Sequence, residues 1–144
     1  MAKFKYELQD VLDLRNYEKE AAENELSKSL EVENQINNEL EFIASEYVRI
    51  KHLMKGSKDI DDILCQNNYL KLLDFKKEDA LERLAQAKII SEQKRQVLME
   101  CTKKTTALEK LKDKQFADFK AAEDYKESEF IDDLATSRFR EINN

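Results

Sequence analysis

A single glycine, Gly56, and no proline interrupt a chain of 144 residues. Compact domains turn often, and their turns draw on Gly and Pro for conformations that other residues adopt poorly. A chain almost without either is confined to long helices with very few reversals. The one reversal with suitable chemistry is Lys55-Gly56-Ser57-Lys58-Asp59. Lys51, His52 and Lys55 place positive charge or polar donors where a helix C-terminus favours them. Gly56 is suited to the left-handed conformation that ends many helices. Ser57 or Asp59 can cap the next helix, with Asp61 and Asp62 in its first turn. The spacing predicts a first helix over about 4–55.

Composition points the same way. The chain is 39% charged and 41% hydrophobic and has no tryptophan, which is the mixture of a coiled coil rather than of a thick core. Disorder would fit the charge but not the regular apolar spacing. With 25 basic and 31 acidic residues the net charge is −6, which disfavours nucleic acid as a partner. Cys65 and Cys101 have no metal-binding spacing and read as reduced thiols of a cytoplasmic protein. The N-terminus lacks the apolar core of a signal peptide, and no run approaches the ~20 apolar residues of a membrane helix.

Stepping by four and three from Leu8 gives Leu12, Arg15, Lys19, Ala22, Leu26, Ser29, Glu33, Ile36, Leu40, Ile43, Tyr47, Ile50 and Met54. This is a heptad seam, strongest from Ile36 to Met54 and polar at Arg15, Lys19, Ser29 and Glu33. Beyond the reversal, Ile60, Ile63 and Leu64 form a short apolar face. Cys65-Gln66-Asn67-Asn68 then interrupts it, so a short helix is expected over about 59–66. A long helix is expected over about 68–138, with a seam from Leu70 through Leu73, Lys77, Ala80, Leu84, Ala87, Ser91, Lys94, Leu98, Cys101 and Thr105 to Leu108. Past Leu108 the apolar residues slip in phase, and the terminal Asn143-Asn144 is expected to fray.

The fold class expected is therefore all-α: one coiled-coil domain over 1–144, an antiparallel hairpin of two long helices with a short helical tip. Two registers are open. If the reversal centres on Gly56, paired residue numbers add to about 114, and Leu108, Leu111, Phe116, Phe119, Phe130, Ile131 and Leu134 stay uncovered. If it centres near residue 70, they add to about 140, and residues 55–85 form the tip. Residues 18–46 carry nine acids and two bases. Their partners would be 94–122, with eight bases and four acids, in the second register, or 68–96, with seven and five, in the first. Charge and coverage favour the second. Large apolar side chains left in water forgo about 1.5–3 kcal/mol each.

No catalytic constellation can be assembled. One glycine excludes a phosphate-cradling loop, and His52 is the only histidine, a solvated residue rather than a metal ligand or pH sensor. The many carboxylates read as solvated helix faces. A two-helix hairpin lacks an enzyme's concave pocket, so no enzyme, cofactor or metal is expected. The aromatics carry more. Tyr47 fits the seam and reads as core packing, whereas Tyr69 and Phe75 lie beside it, where they either pack locally or form the kind of exposed apolar patch that marks a partner. The stretch Glu123 to Glu129, with Asp132 and Asp133, is acidic enough to steer a basic partner or simply to solvate a helix end.

The chain opens Phe4-Lys5-Tyr6-Glu7-Leu8-Gln9-Asp10-Val11-Leu12-Asp13-Leu14-Arg15, an aromatic-x-Leu-Gln start with a Leu-x-Leu-Arg step, and Ala21 and Ala22 lie in the charged helix beyond. This opening resembles that of the flagellar export family FliJ. Leu108-Glu109-Lys110-Leu111-Lys112-Asp113-Lys114, Phe119 and the closing Glu129-Phe130-Ile131-Asp132-Asp133-Leu134-Ala135 with Arg138 resemble its C-terminal half. Phe130 stands where the family has a charged residue, and the middle from Ser57 to Gln93 carries no family motif. The resemblance implies a cytoplasmic helical stalk, peripheral at the inner membrane through its partners. Those partners would be the hexameric export ATPase, the cytoplasmic domain of the export gate, and export chaperones. The candidate contact residues are then Leu8, Leu12 and Arg15, Tyr47, Tyr69 and Phe75, and Phe130 and Leu134. The alternatives are a structural coiled coil self-associating through Ile36–Met54, or the stalk of a related virulence secretion system.

Overall fold

The structure is a computed structural model that describes residues 2–143. Two helices account for nearly all of them: α1, Gln9–Gly56, and α2, Ile60–Asn143. They pack against each other as a helical hairpin, with no strand among the described residues. The chain divides into two compact units, Glu20–Glu100 and a second that joins Met1–Lys19 to Cys101–Asn144.

The reversal takes only Ser57, Lys58 and Asp59. Ser57 finishes α1: its N–H donates to the Met54 carbonyl at 3.3 Å and its hydroxyl to the Leu53 carbonyl at 3.2 Å. Asp59 starts α2, its carboxylate accepting from the Asp61 N–H at 3.0 Å, the bond expected of an N-cap. Gly56 itself is not left-handed, contrary to expectation. It is the last helical residue, and a Cβ there would meet nothing within 4 Å. Helix termination thus rests on Ser57 rather than on glycine geometry. Gly56→Ala is expected to raise stability, by up to about 1 kcal/mol, because alanine loses less backbone entropy on folding. A lower midpoint in urea unfolding would contradict this.

Three expectations are corrected. The short helix over 59–66 does not exist as a separate element, because α2 runs unbroken through Cys65-Gln66-Asn67-Asn68. Both asparagines are exposed, and their weak propensity, about 1 kcal/mol for the pair, is outweighed by Leu70 and Leu73, buried one turn on. The first helix begins at Gln9, not Phe4. Phe4 and Tyr6 alternate, so an extended segment turns both toward α2, which a helix would not. The register centred near residue 70 is also wrong. Ser29 meets Ser91, Arg15 meets Thr105 and Phe4 meets Phe116, and each pair of numbers adds to about 120. The tight turn imposes this register, since Leu70 and Leu73 already pack on Ile43 and Ile50 and are not free to form a tip. The fraying expected at Asn143-Asn144 concerns Asn144, which lies outside the described residues; α2 runs to Asn143.

In the unit Glu20–Glu100 the seam follows the heptad. Ala22, Ser29, Ile36, Ile43 and Ile50 are buried on α1, and Leu70, Leu73, Ala80, Leu84, Ala87 and Ser91 on α2. Ile43, Ile50, Leu70 and Leu73 form one cluster, with Tyr47, Met54 and Tyr69 packed on it. Ile36, Ala80, Leu84 and Ala87 form another. The alanines let the two helices approach closely where Ile36 fills the seam. Ser29 and Ser91 supply a polar layer: their hydroxyl oxygens lie 2.6 Å apart, and the fully buried Ser91 hydroxyl donates to the Glu33 carboxylate. Ser29 is therefore the donor to Ser91, and such a layer fixes register at the expense of some burial. Glu39 with Arg83 (2.8 Å) and Glu25 with Lys94 (3.7 Å) pair across the helices. They lie in the exposed regime where such pairs contribute roughly 0–1 kcal/mol.

Candidate interaction surfaces

In the unit formed by Met1–Lys19 and Cys101–Asn144, helix packing covers only part of α2. Leu12 is buried, and the buried Thr105 hydroxyl donates to the Arg15 carbonyl at 3.3 Å. Ahead of α1, the buried Tyr6 donates its hydroxyl to the Leu108 carbonyl at 3.0 Å. Phe4 sits against Phe116 and Phe119, with ring centres 5.3 and 5.5 Å apart. Lys112 Nζ donates to Gln9 Oε1 at 2.7 Å. Then the coverage ends, and every residue from Asp124 to Ile142 is exposed.

That uncovered stretch is not polar throughout. Phe130 is 64% exposed, and Ile131, Leu134 and Ile142 are also exposed. Offsets of one, four and twelve residues from Phe130 place Ile131, Leu134 and Ile142 with it on one broad face. Around it stand Glu123, Asp124, Glu127, Glu129, Asp132 and Asp133, opposed by Lys126 alone over that stretch. Exposed large apolar side chains in such number mark a surface that meets something. The acid rim favours a basic counterpart, because like charges at an apolar contact oppose association.

The other expected residues divide by what they touch. Leu8 is marginally exposed, whereas Leu12 is 4% exposed and has no surface to offer a partner in the closed hairpin. Arg15 is half-buried and pairs with Glu18 at 3.0 Å. In the unit Glu20–Glu100, Tyr47 is half-buried on the Ile43 cluster, with Lys51 Nζ 5.3 Å from its ring centre. Tyr69 is half-buried on the same cluster and donates to Glu46 Oε2 at 2.9 Å. Phe75 is 72% exposed. Sequence reasoning missed the roles of Phe4 and Tyr6, although their alternation was a signal for an extended segment. It also passed over the exposed Phe139 and Ile142.

Glu46 joins the two helices near the turn. Arg49 donates to both of its oxygens, at 3.0 and 2.8 Å, and Tyr69 to one. These donors, Arg49 first and Tyr69 second, hold the Glu46 carboxyl below its usual range. The same carboxylate, together with burial, pushes the Tyr69 phenol up, and it raises the Arg49 guanidinium. A lowered carboxyl contributes stability above its unfolded pKa, and that stability is lost as pH falls through the folded value. A raised phenol contributes below its unfolded value of about 10 and loses that contribution as pH climbs through the folded value. Tyr69→Phe is expected to move the Glu46 pKa up, though still short of an ordinary glutamate because Arg49 remains. A carboxyl NMR titration checks this, and an unmoved Glu46 would contradict the bond.

Among the described residues no group of three or more His, Cys, Asp or Glu could hold a metal ion, and no helix is long and apolar enough to cross a membrane. The fold and its surfaces define an all-α coiled-coil hairpin. A family model described as flagellar FliJ protein matches residues 4–144, and the chain belongs to that family. The family is a non-catalytic component of the flagellar export apparatus. No curated protein and no solved structure matches the chain.

Proposed function

We propose that this chain is the non-catalytic stalk of the flagellar type III export apparatus, docking on the hexameric export ATPase and meeting the cytoplasmic domain of the export gate. The observation that carries the reading is an uncovered apolar face, Phe130, Ile131 and Leu134, on a chain whose family match runs over residues 4–144. In this reading Phe130 and Leu134 dock on the ATPase, with Leu8 at the margin of that contact. Leu12 and Arg15 act by holding the hairpin that presents them. Phe75, in the unit that contains the turn, meets the gate, and Tyr47 and Tyr69 stiffen its support. Export chaperones are transient further partners. Nucleic acid, metal and cofactor have no part, and the chain is cytoplasmic, held at the inner membrane through these partners.

Self-association through Ile36–Met54 is disfavoured, because Ile36, Ile43 and Ile50 are already buried within the chain. The test is capture of the purified export ATPase by the intact chain, with sedimentation of the chain alone. The reading predicts capture and a 17.0 kDa monomer. No capture by folded protein, or a stable dimer, would count against it.

A further inference from the structure

The N-terminal segment reaches the same face of α2 that the proposed docking uses. Ala2 to Tyr6 form no helix, and Glu7 and Leu8 only a turn. Yet Tyr6 is buried and Phe4 half-buried. The segment is fixed where it joins α1, the Gln9 N–H donating to the Tyr6 carbonyl at 3.0 Å. Along α2 it is held by the Tyr6 hydroxyl on the Leu108 carbonyl, by the buried Tyr6 ring, and by Phe4 against Phe116 and Phe119. In a helix the Leu108 carbonyl already accepts from the amide four residues on, so the tyrosine occupies its second lone pair.

The cover is incomplete. Phe116 remains 49% exposed beside Phe4. A groove of about 570 Å³ continues from there, lined by Ala2, Phe116, Phe119, Lys120, Glu123 and Phe130. Phe119, which Phe4 touches, and Phe130, which is free, therefore line one groove. Holding a few extended residues by one hydrogen bond, the buried Tyr6 ring and the Phe4 contacts sets gains of a few kcal/mol against an ordering entropy of about 1–2 kcal/mol per residue. The two are of similar size, so the segment can open without loss of either helix.

We propose that residues 2–7 form a strap that shuts over Phe116 and Phe119 and competes with the docking partner for the apolar face of α2. The strap is an autoinhibitory contact: a partner seated on Phe130 and Leu134 gains the parts of Phe116 and Phe119 that Phe4 covers only by displacing Phe4. While the strap is shut, apparent affinity is reduced by the fraction of molecules that are open.

The identity of the partner rests on the reading given above, whereas the strap does not, and the experiment separates them. Phe4→Ala is made in the full chain, and helical content is checked by circular dichroism. Binding of the apolar dye ANS should rise, because Phe116 and Phe119 are uncovered. Affinity for the export ATPase should tighten about fivefold, as expected if some four-fifths of the chains are shut. Tyr6→Phe, which keeps the ring and loses only the bond to Leu108, should shift both readouts the same way by less, and it carries the test if Phe4→Ala misfolds. Unchanged dye binding overturns the strap, as does weaker ATPase binding, which would make Phe4 part of the docking surface. Raised dye binding with no ATPase binding by either chain upholds the strap and overturns the partner.

Discussion

Leu73→Ala is expected to lower the unfolding free energy by about 3 kcal/mol, within the roughly 2–5 kcal/mol range of fully buried leucines. Leu73 is 1% exposed and belongs to the cluster of Ile43, Ile50 and Leu70. Truncation removes apolar contacts and leaves a cavity between two helices that the bond from Tyr69 to Glu46 holds together beside this cluster, so the site collapses poorly. The midpoint of thermal unfolding should fall by roughly 6–12 °C for a chain of this size. Leu72→Ala is the control: one residue away, 46% exposed, and expected to change stability by less than about 0.5 kcal/mol. Equal losses at the two positions would mean that α2 does not present Leu73 to α1, and the register would be wrong.

Replacing Phe130 and Leu134 together by aspartate is expected to abolish capture of the export ATPase while leaving stability unchanged. Both side chains are exposed and belong to the stretch of α2 without cover. Their burial in a complex makes each a candidate hot spot of about 2 kcal/mol or more. Two such losses weaken binding on the order of a thousandfold. The added carboxylates would also extend the acid rim of Glu127, Glu129, Asp132 and Asp133, deepening the effect against an acidic partner and softening it against a basic one. Thermal unfolding should move by no more than about 0.5 kcal/mol equivalent. Titration of the ATPase against both chains checks the binding, and equal affinities would remove Phe130 and Leu134 from the docking surface.

The seam was legible because it repeats. From Leu12 to Met54 each residue reached by steps of four and three is buried or half-buried, the polar Ser29 and Glu33 included. From Leu70 to Leu108 only Lys77 of the expected residues is exposed. The capping chemistry of Asp59 was equally local and equally readable. Register was not, because it depends on the turn's length and on which leucines find partners, and both registers offered complementary charge. Glu39–Arg83 and Glu25–Lys94 are satisfied in a register that lies nearer the one the charge count disfavoured and matches neither of the two. Nor are the large apolar residues past 107 all covered, as the favoured register required. Phe130, Ile131 and Leu134 are uncovered in the chain alone, as a surface reserved for a partner would be. Tyr47 is half-buried as its place in the seam implies, whereas Tyr69, chosen for its place beside the seam, is half-buried because the cluster of Ile43, Ile50, Leu70 and Leu73 takes its ring.

The central claim is that the uncovered end of α2 is the surface that meets the export ATPase. A photoreactive amino acid placed at Leu134, and separately at the exposed Glu31 in the other unit, tests it by irradiation of the chain mixed with the ATPase. The account predicts covalent adducts to the ATPase from position 134 and none from position 31. Adducts from position 31 with none from position 134 would contradict it.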